Sequence, residues 1–418
     1  MSETSRKPQE LTTGGRWLIV VAAFLGWLFA GSQMGITTLA MRSAATDLTG
    51  GAEKAVVDMW FSAYVCAFLL GAATGGFVLG WIGDRFGRTR AMGISILTYS
   101  IVSGLTYWVE SPSQLLVARF IACMGIGGMW PNGVALVSEA WSKLSRPVVA
   151  GIFGTSANFG ILLIARIGKE WPIVPTDWRW IMLVVATPAV LGVLVLLFVP
   201  ESSLWRAARR KTKTEETSRV SIAEVFRPPL RKITLIGIAL GTIPLLGGWG
   251  SANWVMAWAE HVDPEGFLKA DLQQARSVGS IVGALLGGVV AMSIGRRLTF
   301  FIISAGSLVA SQLLFWFLEP NEPTFYWVFG TWGLFNGLYF GWLPFCLPEL
   351  FPTRVRSTGA GVSFNWGRIL SAVTVLITGA MMSVLTFAEA GRITSLIFLV
   401  GMIVICFAPD TTKTRIED

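Results

Sequence analysis

Arg368 stands about thirteen residues into an apolar run from 355 to 384, where a membrane-crossing helix carries it close to mid-bilayer. A charge at that depth costs roughly 2.5–3.5 kcal/mol on insertion scales, so it normally faces a cavity and serves a function. The planar guanidinium fork matches a carboxylate or phosphate, which lysine reproduces poorly. Asn365 and Phe364, three and four residues back, carry no charge to neutralise it. The alternatives are an acid on another helix, or stacking on Trp366 or another ring. Gln33, Asn132, Asn158, Asn253 and Asn336 lie at similar depth in other runs, with Arg166 in the outer half of its own. Together with Trp342 and Trp366 they form the candidate substrate-binding set, although any one aromatic equally suits helix packing or the lipid interface. Arg119 and Arg276 stand nearer the outer ends of their runs, where snorkelling alone explains them.

Other chemistry is excluded by what the chain lacks. The single histidine, His261, falls outside the apolar runs, so no Ser–His or Cys–His pair can form in the membrane. No H-E-x-x-H, C-x-x-C or G-x-x-x-x-G-K-[ST] spacing occurs, which leaves no predicted metal site, cofactor, enzyme activity or ATP-driven step. Asp58 is the best intramembrane acid and, with Arg119, a candidate for ion coupling. The plainer reading of Asp58 is an acid at a helix N-terminus, satisfied by the dipole. The driving force is thus open between protons, sodium and the substrate gradient.

These residues need helices to position them. Of 418 residues, 53% are hydrophobic and only 14% charged, against nearer a quarter charged in soluble domains. A spanning helix needs roughly 20 apolar residues, and twelve such runs are visible: 16–40, 56–82, 90–109, 114–137, 147–170, 179–199, 231–258, 272–294, 299–318, 324–347, 355–384 and 390–408. Most of the chain's 46 glycines fall inside them, which suits closely packed membrane helices. The polar N-terminus lacks the short apolar core and cleavage site of a secretory signal. Cys66, Cys123, Cys346 and Cys406 all lie inside apolar runs and read as packing residues. Lysine and arginine concentrate on one side, from Arg16 through Arg88 and the middle loop to Arg415, while the other side holds chiefly Arg42, Lys54, Lys169 and Lys269. That bias predicts both termini in the cytoplasm. The +8 net charge then reflects a basic surface beside anionic lipid, not nucleic-acid binding.

One long polar segment, 201–230, separates six runs from six and suggests a cytoplasmic linker, with room for a short surface helix. The halves repeat. Asp84 in "GDRFGR" matches Met292 in "AMSIGRR", 208 residues on; Glu139 and Arg146 match Glu349 and Arg356 at 210; Glu201 matches Asp410 at 209. The predicted fold class is therefore an all-α membrane protein of twelve helices in two six-helix bundles, 1–200 and 231–418, related by an internal repeat.

"GWIGDRFGRTR", "RFIACMGIGG", "VPESSLW" and "PDTTK" resemble, in order and spacing, the signatures of major facilitator superfamily transporters over nearly the whole chain. "DWRWIMLVVATPAVLGVLVLLFVPES" and "PELFPTRVRSTGAGVSFNWGRI" look more like its metabolite:proton symporters, and the P-E-S signature like its sugar porters. The resemblance implies alternating access by two rocking bundles about a midplane site. It further implies that Asp84, with Arg85, Gly87 and Arg88, latches the outward-open state against the start of helix 11. Glu139, Arg146 and Glu201, and in the second half Arg296, Arg297, Glu349, Arg356 and Asp410, are candidate partners in that gate. Helix 5 lacks the Gly-Pro pair of the superfamily's drug antiporters. The function so implied is secondary transport of a small polar metabolite across the inner membrane by a monomer. An organic anion is the first choice and a sugar the runner-up, with a non-transporting sensor on the same fold as the rival class.

Overall fold

The computed structural model describes residues 11–141, 146–203, 205–206, 222–352 and 355–411. Twelve long helices carry the fold: α1 (Thr13–Leu39), α2 (Lys54–Phe86), α3 (Arg88–Leu105), α4 (Pro112–Ala140), α5 (Arg146–Glu170), α6 (Trp180–Phe198), α7 (Arg231–Val262), α8 (Phe267–Ile294), α9 (Arg296–Phe317), α10 (Pro323–Glu349), α11 (Arg356–Ala380) and α12 (Phe387–Phe407). Ten are long and apolar enough to cross a membrane by length and composition. Among the described residues the only sheet-like pairing is an isolated bridge between Val174 and Asp177. Of the surface helix suggested for the linker, Ser203, Trp205 and Arg206 are described and helical, and the residues from 207 to 221 lie outside those described.

Local chemistry sets the helix ends. The Thr12 hydroxyl accepts the Gly15 N–H at 3.1 Å to start α1, and Ser111 caps α4 with Pro112 at its first position. A reciprocal capping box between Thr386 and Glu389 opens α12. The tightest reversals use one residue each. Gly87, at φ 120°, separates α2 from α3, and Gly295, at φ 93°, separates α8 from α9, again 208 positions on. Side chains rarely adopt such backbone, and a Cβ on Gly87 would also stand 2.1 Å from the Glu201 carboxylate.

The repeat governs packing as well as topology. α2 lies against α4 so closely that a Cβ on Gly75 would fall 1.9 Å from the Met124 carbonyl oxygen. In the second bundle α8 lies against α10, and a Cβ on Gly283, the counterpart of Gly75, would fall 2.0 Å from the Leu334 carbonyl oxygen. With hydrocarbon on both sides of the choice, there is little hydrophobic drive to pair helices, and such backbone approach supplies the dispersion contacts instead. One element departs from the pattern. α7 carries a π-turn at Leu246–Gly250, just after Pro244, a distortion that frequently marks functional positions in helices.

Gly87→Ala is expected to destabilise the first bundle by on the order of 1–3 kcal/mol, the usual cost of a side chain in so sparsely populated a backbone region. Gly361→Ala, on α11 with open space where the methyl would go, is the control and is expected to be neutral or stabilising. Thermal unfolding of both in detergent checks this; equal midpoints would contradict it.

Candidate functional site

The bundles meet through two kinds of polar contact. On the face away from the described chain ends lies a buried ion cluster. Arg42, on the short helix Met41–Leu48, donates to Asp58 of α2 at 3.0 Å and stands 3.7 Å from Glu260 of α7. Lys269 of α8 pairs with Glu260 at 3.1 Å and donates to the Ser43 hydroxyl at 3.0 Å, while Ser43 donates to Glu260 at 3.1 Å. Lys54 completes it, 3.5 Å from Asp58 and over the Phe387 ring of α12. Asp58 is wholly buried and Lys269 and Glu260 nearly so. Beside the cluster, Lys169 pairs with Asp271 at 2.6 Å. Arg42, Ser43 and Lys169 belong to the first bundle, and Glu260, Lys269 and Asp271 to the second. Arg42–Asp58, Lys54–Asp58 and Lys269–Glu260 each pair inside one bundle, while Arg42–Glu260, Lys169–Asp271 and the bonds of Ser43 cross between the bundles, so closing this face adds those crossing contacts.

The opposite face differs. Asp84, two-thirds exposed, pairs with Arg88 of its own bundle. Arg88 also approaches Glu139 at 3.9 Å. Glu201 accepts the backbone N–H groups of Arg88 and Thr89, occupying the positive end of α3. Burial pushes the Glu201 carboxyl above its ordinary range, opposed by those N–H donors and aided by nearby Glu139. Arg85 stacks over Trp81 and Phe86. In the second bundle Arg296 pairs with Glu349 at 3.2 Å, Thr411 donates to the same carboxylate, and Arg297 donates to the Ala408 carbonyl. Arg356 donates to the Phe351 carbonyl at 3.4 Å, and Asp410 is exposed, one residue before the end of the described chain. The Arg146 side chain lies outside the described residues. Among those described, no ion pair or hydrogen bond joins the bundles here, so Asp84 does not reach α11 in this conformation.

Between the faces lie three buried arginines. Arg368 donates to the Ala72 carbonyl across the bundle interface at 3.0 Å and to the Asn365 carboxamide at 3.2 Å, with its guanidinium over Phe364. Asn365 stands against Gly76 of α2. Arg119, fully buried, donates to the Thr37 hydroxyl and the Gln33 carbonyl of α1, with Nε and Nη1 left without partners. Arg276 is 6% exposed, lies between the rings of Trp249 and Trp332, and has an unpartnered Nε. None of the three has a carboxylate within ion-pair distance among the described residues.

Several sequence-level assignments are corrected here. Arg166 is exposed and pairs with Glu170 one turn away, so it does not face the interior. Trp366 is 40% exposed and packs on Phe226. Trp342 donates to the Arg296 carbonyl, toward the end of its bundle. The Gln33 carboxamide is consumed within the first bundle by Tyr99, Val185 and Ser103. Asn132 bonds α4 to the Leu79 carbonyl of α2. Asn158 donates to its own helix at Gly154. Asp58 is held by two cations in the second turn of α2, not by free N-terminal amides, and Arg276 is buried, not snorkelling. Asn253, Asn336, Asn365 and Arg368 remain interior. The sequence reading missed the ion cluster, whose only signal was that Arg42, Lys54, Lys169 and Lys269 share the sparse face with Asp58, Glu260 and Asp271.

Two repeated six-helix bundles around a charged interior seam define a multi-pass membrane carrier. The family model described as Major Facilitator Superfamily matches residues 23–375. A cis,cis-muconate transport protein of Acinetobacter baylyi is 28% identical over 86% of each chain. A probable 4-methylmuconolactone transporter of Cupriavidus pinatubonensis is 25% identical over 95% of this chain and 91% of its own. In three dimensions the chain is similar to the xylose transporter XylE from E. coli in a partially occluded inward open conformation, with TM-score 0.76 and 18% identity over 97% of this chain and all of that one. The chain belongs to the Major Facilitator Superfamily: it is a membrane transporter and not an enzyme.

Removing one partner of a buried ion pair typically costs about 3–5 kcal/mol. Arg42→Met, which removes the cluster's ion pair across the interface to Glu260, is therefore expected to open the clustered face. Spin labels at Glu53→Cys and Glu265→Cys, in a Cys406→Ser background, are expected to shift to longer distances in the variant. An unchanged distribution would show that the cluster does not hold the face shut.

Proposed function

We propose that the protein is a secondary active transporter carrying a small organic anion, most simply a carboxylate, across the inner membrane by alternating access. The observation that carries this reading is the set of three buried arginines, Arg119, Arg276 and Arg368, without an acid partner among the described residues. Positive charge kept at membrane depth is costly, and an anionic substrate offsets it during transport. Two relatives named as transporters of muconate and of a methylmuconolactone support the same class. Residues 1–200 and 231–418 are the moving units and 201–230 the tether. The basic face is cytoplasmic by the positive-inside rule, which makes this conformation the inward-facing one and the ion cluster its outer seal. Asp84 and its repeat partners then act in the opposite state, when the basic face closes. The chain works in the lipid bilayer as a monomer, without nucleic acid or cofactor.

Coupling to H⁺ or Na⁺ is part of this proposal. α1 offers no carboxylate to Arg119, only Thr37 and a backbone carbonyl, so the acids available to a coupling ion are those of the outer cluster. A sugar is the second reading, favoured by the unpartnered carboxamide of Asn253, which suits hydroxyl groups.

Uptake into liposomes separates the two. Carboxylates are expected to accumulate and sugars not. Arg368→Lys is expected to raise the apparent KM severalfold, and Arg368→Gln to nearly abolish binding. Wild-type affinity in a folded Arg368→Gln protein, or transport of a neutral sugar alone, would defeat the anion reading.

A further inference from the structure

Buried polar atoms without partners recur at the depth of Arg276 on α7, α8 and α10. They are the Nε of Arg276 on α8, both carboxamide atoms of Asn253 on α7, the Nδ2 of Asn336 and the indole Nε1 of Trp332 on α10. All four residues are at least nine-tenths buried. Helix geometry places them together in depth. Arg276, Asn253 and Trp332 each lie nine residues from the far-face ends of their helices, about 14 Å at the helical rise. Asn336 follows Trp332 by one turn and packs on Gly248 in the π-turn of α7. Trp249 of that turn faces Arg276, their guanidinium-to-ring distance being 5.5 Å, and Trp332 does so at 5.7 Å. Phe68 of α2 reaches across the bundle interface to the Trp249 ring at 4.9 Å.

The balance of donors and acceptors identifies the occupant. Four residues offer unpartnered N–H groups, one of them cationic, against two carboxamide oxygens, those of Asn253 and Asn336. Each buried donor left unmade costs roughly 1–3 kcal/mol, more for a charged one. A group that only accepts, and carries negative charge, satisfies the set; a hydroxyl-rich sugar brings as many donors as acceptors. The flanking indoles and Phe68 suit a flat apolar body beside that anionic head. The one bond Arg276 makes, from Nη1 to Gln273 at 3.4 Å, leaves Nε available. That same Gln273 oxygen accepts from Thr38 of the first bundle, so the cage is joined to the interface that closes.

We propose that Arg276, with Asn253, Asn336 and Trp332, forms the subsite that binds the substrate's carboxylate, and that flat, unsaturated or aromatic acids are its preferred class. This rests on the anion reading above and assigns the head group to α7, α8 and α10, with Arg368 contacting the substrate from α11.

Benzoate, benzamide, cyclohexanecarboxylate, acetate and xylose, titrated against purified protein by thermal shift, provide the test. Benzoate is expected to stabilise the wild type, cyclohexanecarboxylate less, and benzamide and xylose not at all. Arg276→Gln is expected to weaken benzoate at least tenfold, and Arg276→Lys less. Trp332→Phe, which removes one donor and keeps a ring, is expected to weaken it severalfold and serves if Arg276→Gln does not fold. Exposed Arg166→Gln is expected to bind as wild type. Benzoate binding that survives unchanged in Arg276→Gln or Trp332→Phe, but is lost in Arg368→Gln, would overturn this subsite and leave the anion reading standing. Stabilisation by xylose with none by any carboxylate would overturn both.

Discussion

A charge inside a membrane protein must be met by another charge, and the two regions where this chain buries charge meet that demand differently. Between the bundles at the far face, cations and acids are nearly matched: Arg42, Lys54 and Lys269 against Asp58 and Glu260. Most of these pairs lie within one bundle, but Arg42 to Glu260 and the bonds of Ser43 to Glu260 and Lys269 cross between bundles and exist only while the face is shut. In the middle of the spans, Arg119, Arg276 and Arg368 have no acid at all among the described residues. The first arrangement makes closure favourable; the second leaves a deficit that closure by itself does not repair. A transporter needs both, because a carrier satisfied when empty has no electrostatic reason to wait for its cargo.

Rigid bundles turn that local electrostatics into motion. Within each half, α2 on α4 and α8 on α10 touch backbone to backbone at glycines, where no methyl group fits. Such contacts have one good geometry and resist sliding. Across the interface the contacts are longer side chains, such as Arg368 reaching the Ala72 carbonyl and Thr38 reaching Gln273, whose bonds can be exchanged for water or ligand as the seam opens. The division between what is fixed and what moves is thus written in side-chain size.

The helix count, the break near 200–230 and the repeat were legible because they depend on hydropathy and register, which a linear chain displays. The three-dimensional register at Gly75 and Gly283 follows the same 208-residue offset that the loops revealed. The interior site was only partly legible. Arg276 looked shallow because the eighth apolar run was taken to begin at 272; the helix in fact begins at Phe267 with Lys269 already buried. A buried lysine paired to an acid on another helix leaves no trace in hydropathy. Arg166 looked deep because counting gives depth but not rotation, although Glu170, four residues on, marked a solvated helical pair. Gln33 is polar at the right depth, yet its carboxamide is spent on neighbouring helices.

The imperfect repeat is informative in its own right. Met292 occupies the place of Asp84 and is half exposed, so the second α8–α9 turn has no acid to offer across the interface. Arg296 instead pairs inward with Glu349, where Thr411 also binds, while the first turn keeps Arg88 between exposed Asp84 and half-buried Glu139. Asp84 is the acid of this group most exposed to a new partner when the basic face closes. The two turns share one backbone, set by Gly87 and Gly295, yet only one presents a carboxylate. The basic face thus offers an exposed carboxylate from the first bundle's turn and none from the second's, in contrast to the far face, where both bundles contribute acids and bases. Among the described residues ion pairs join the bundles at the far face and none does at the basic face, so the far face is the more strongly held in this structure.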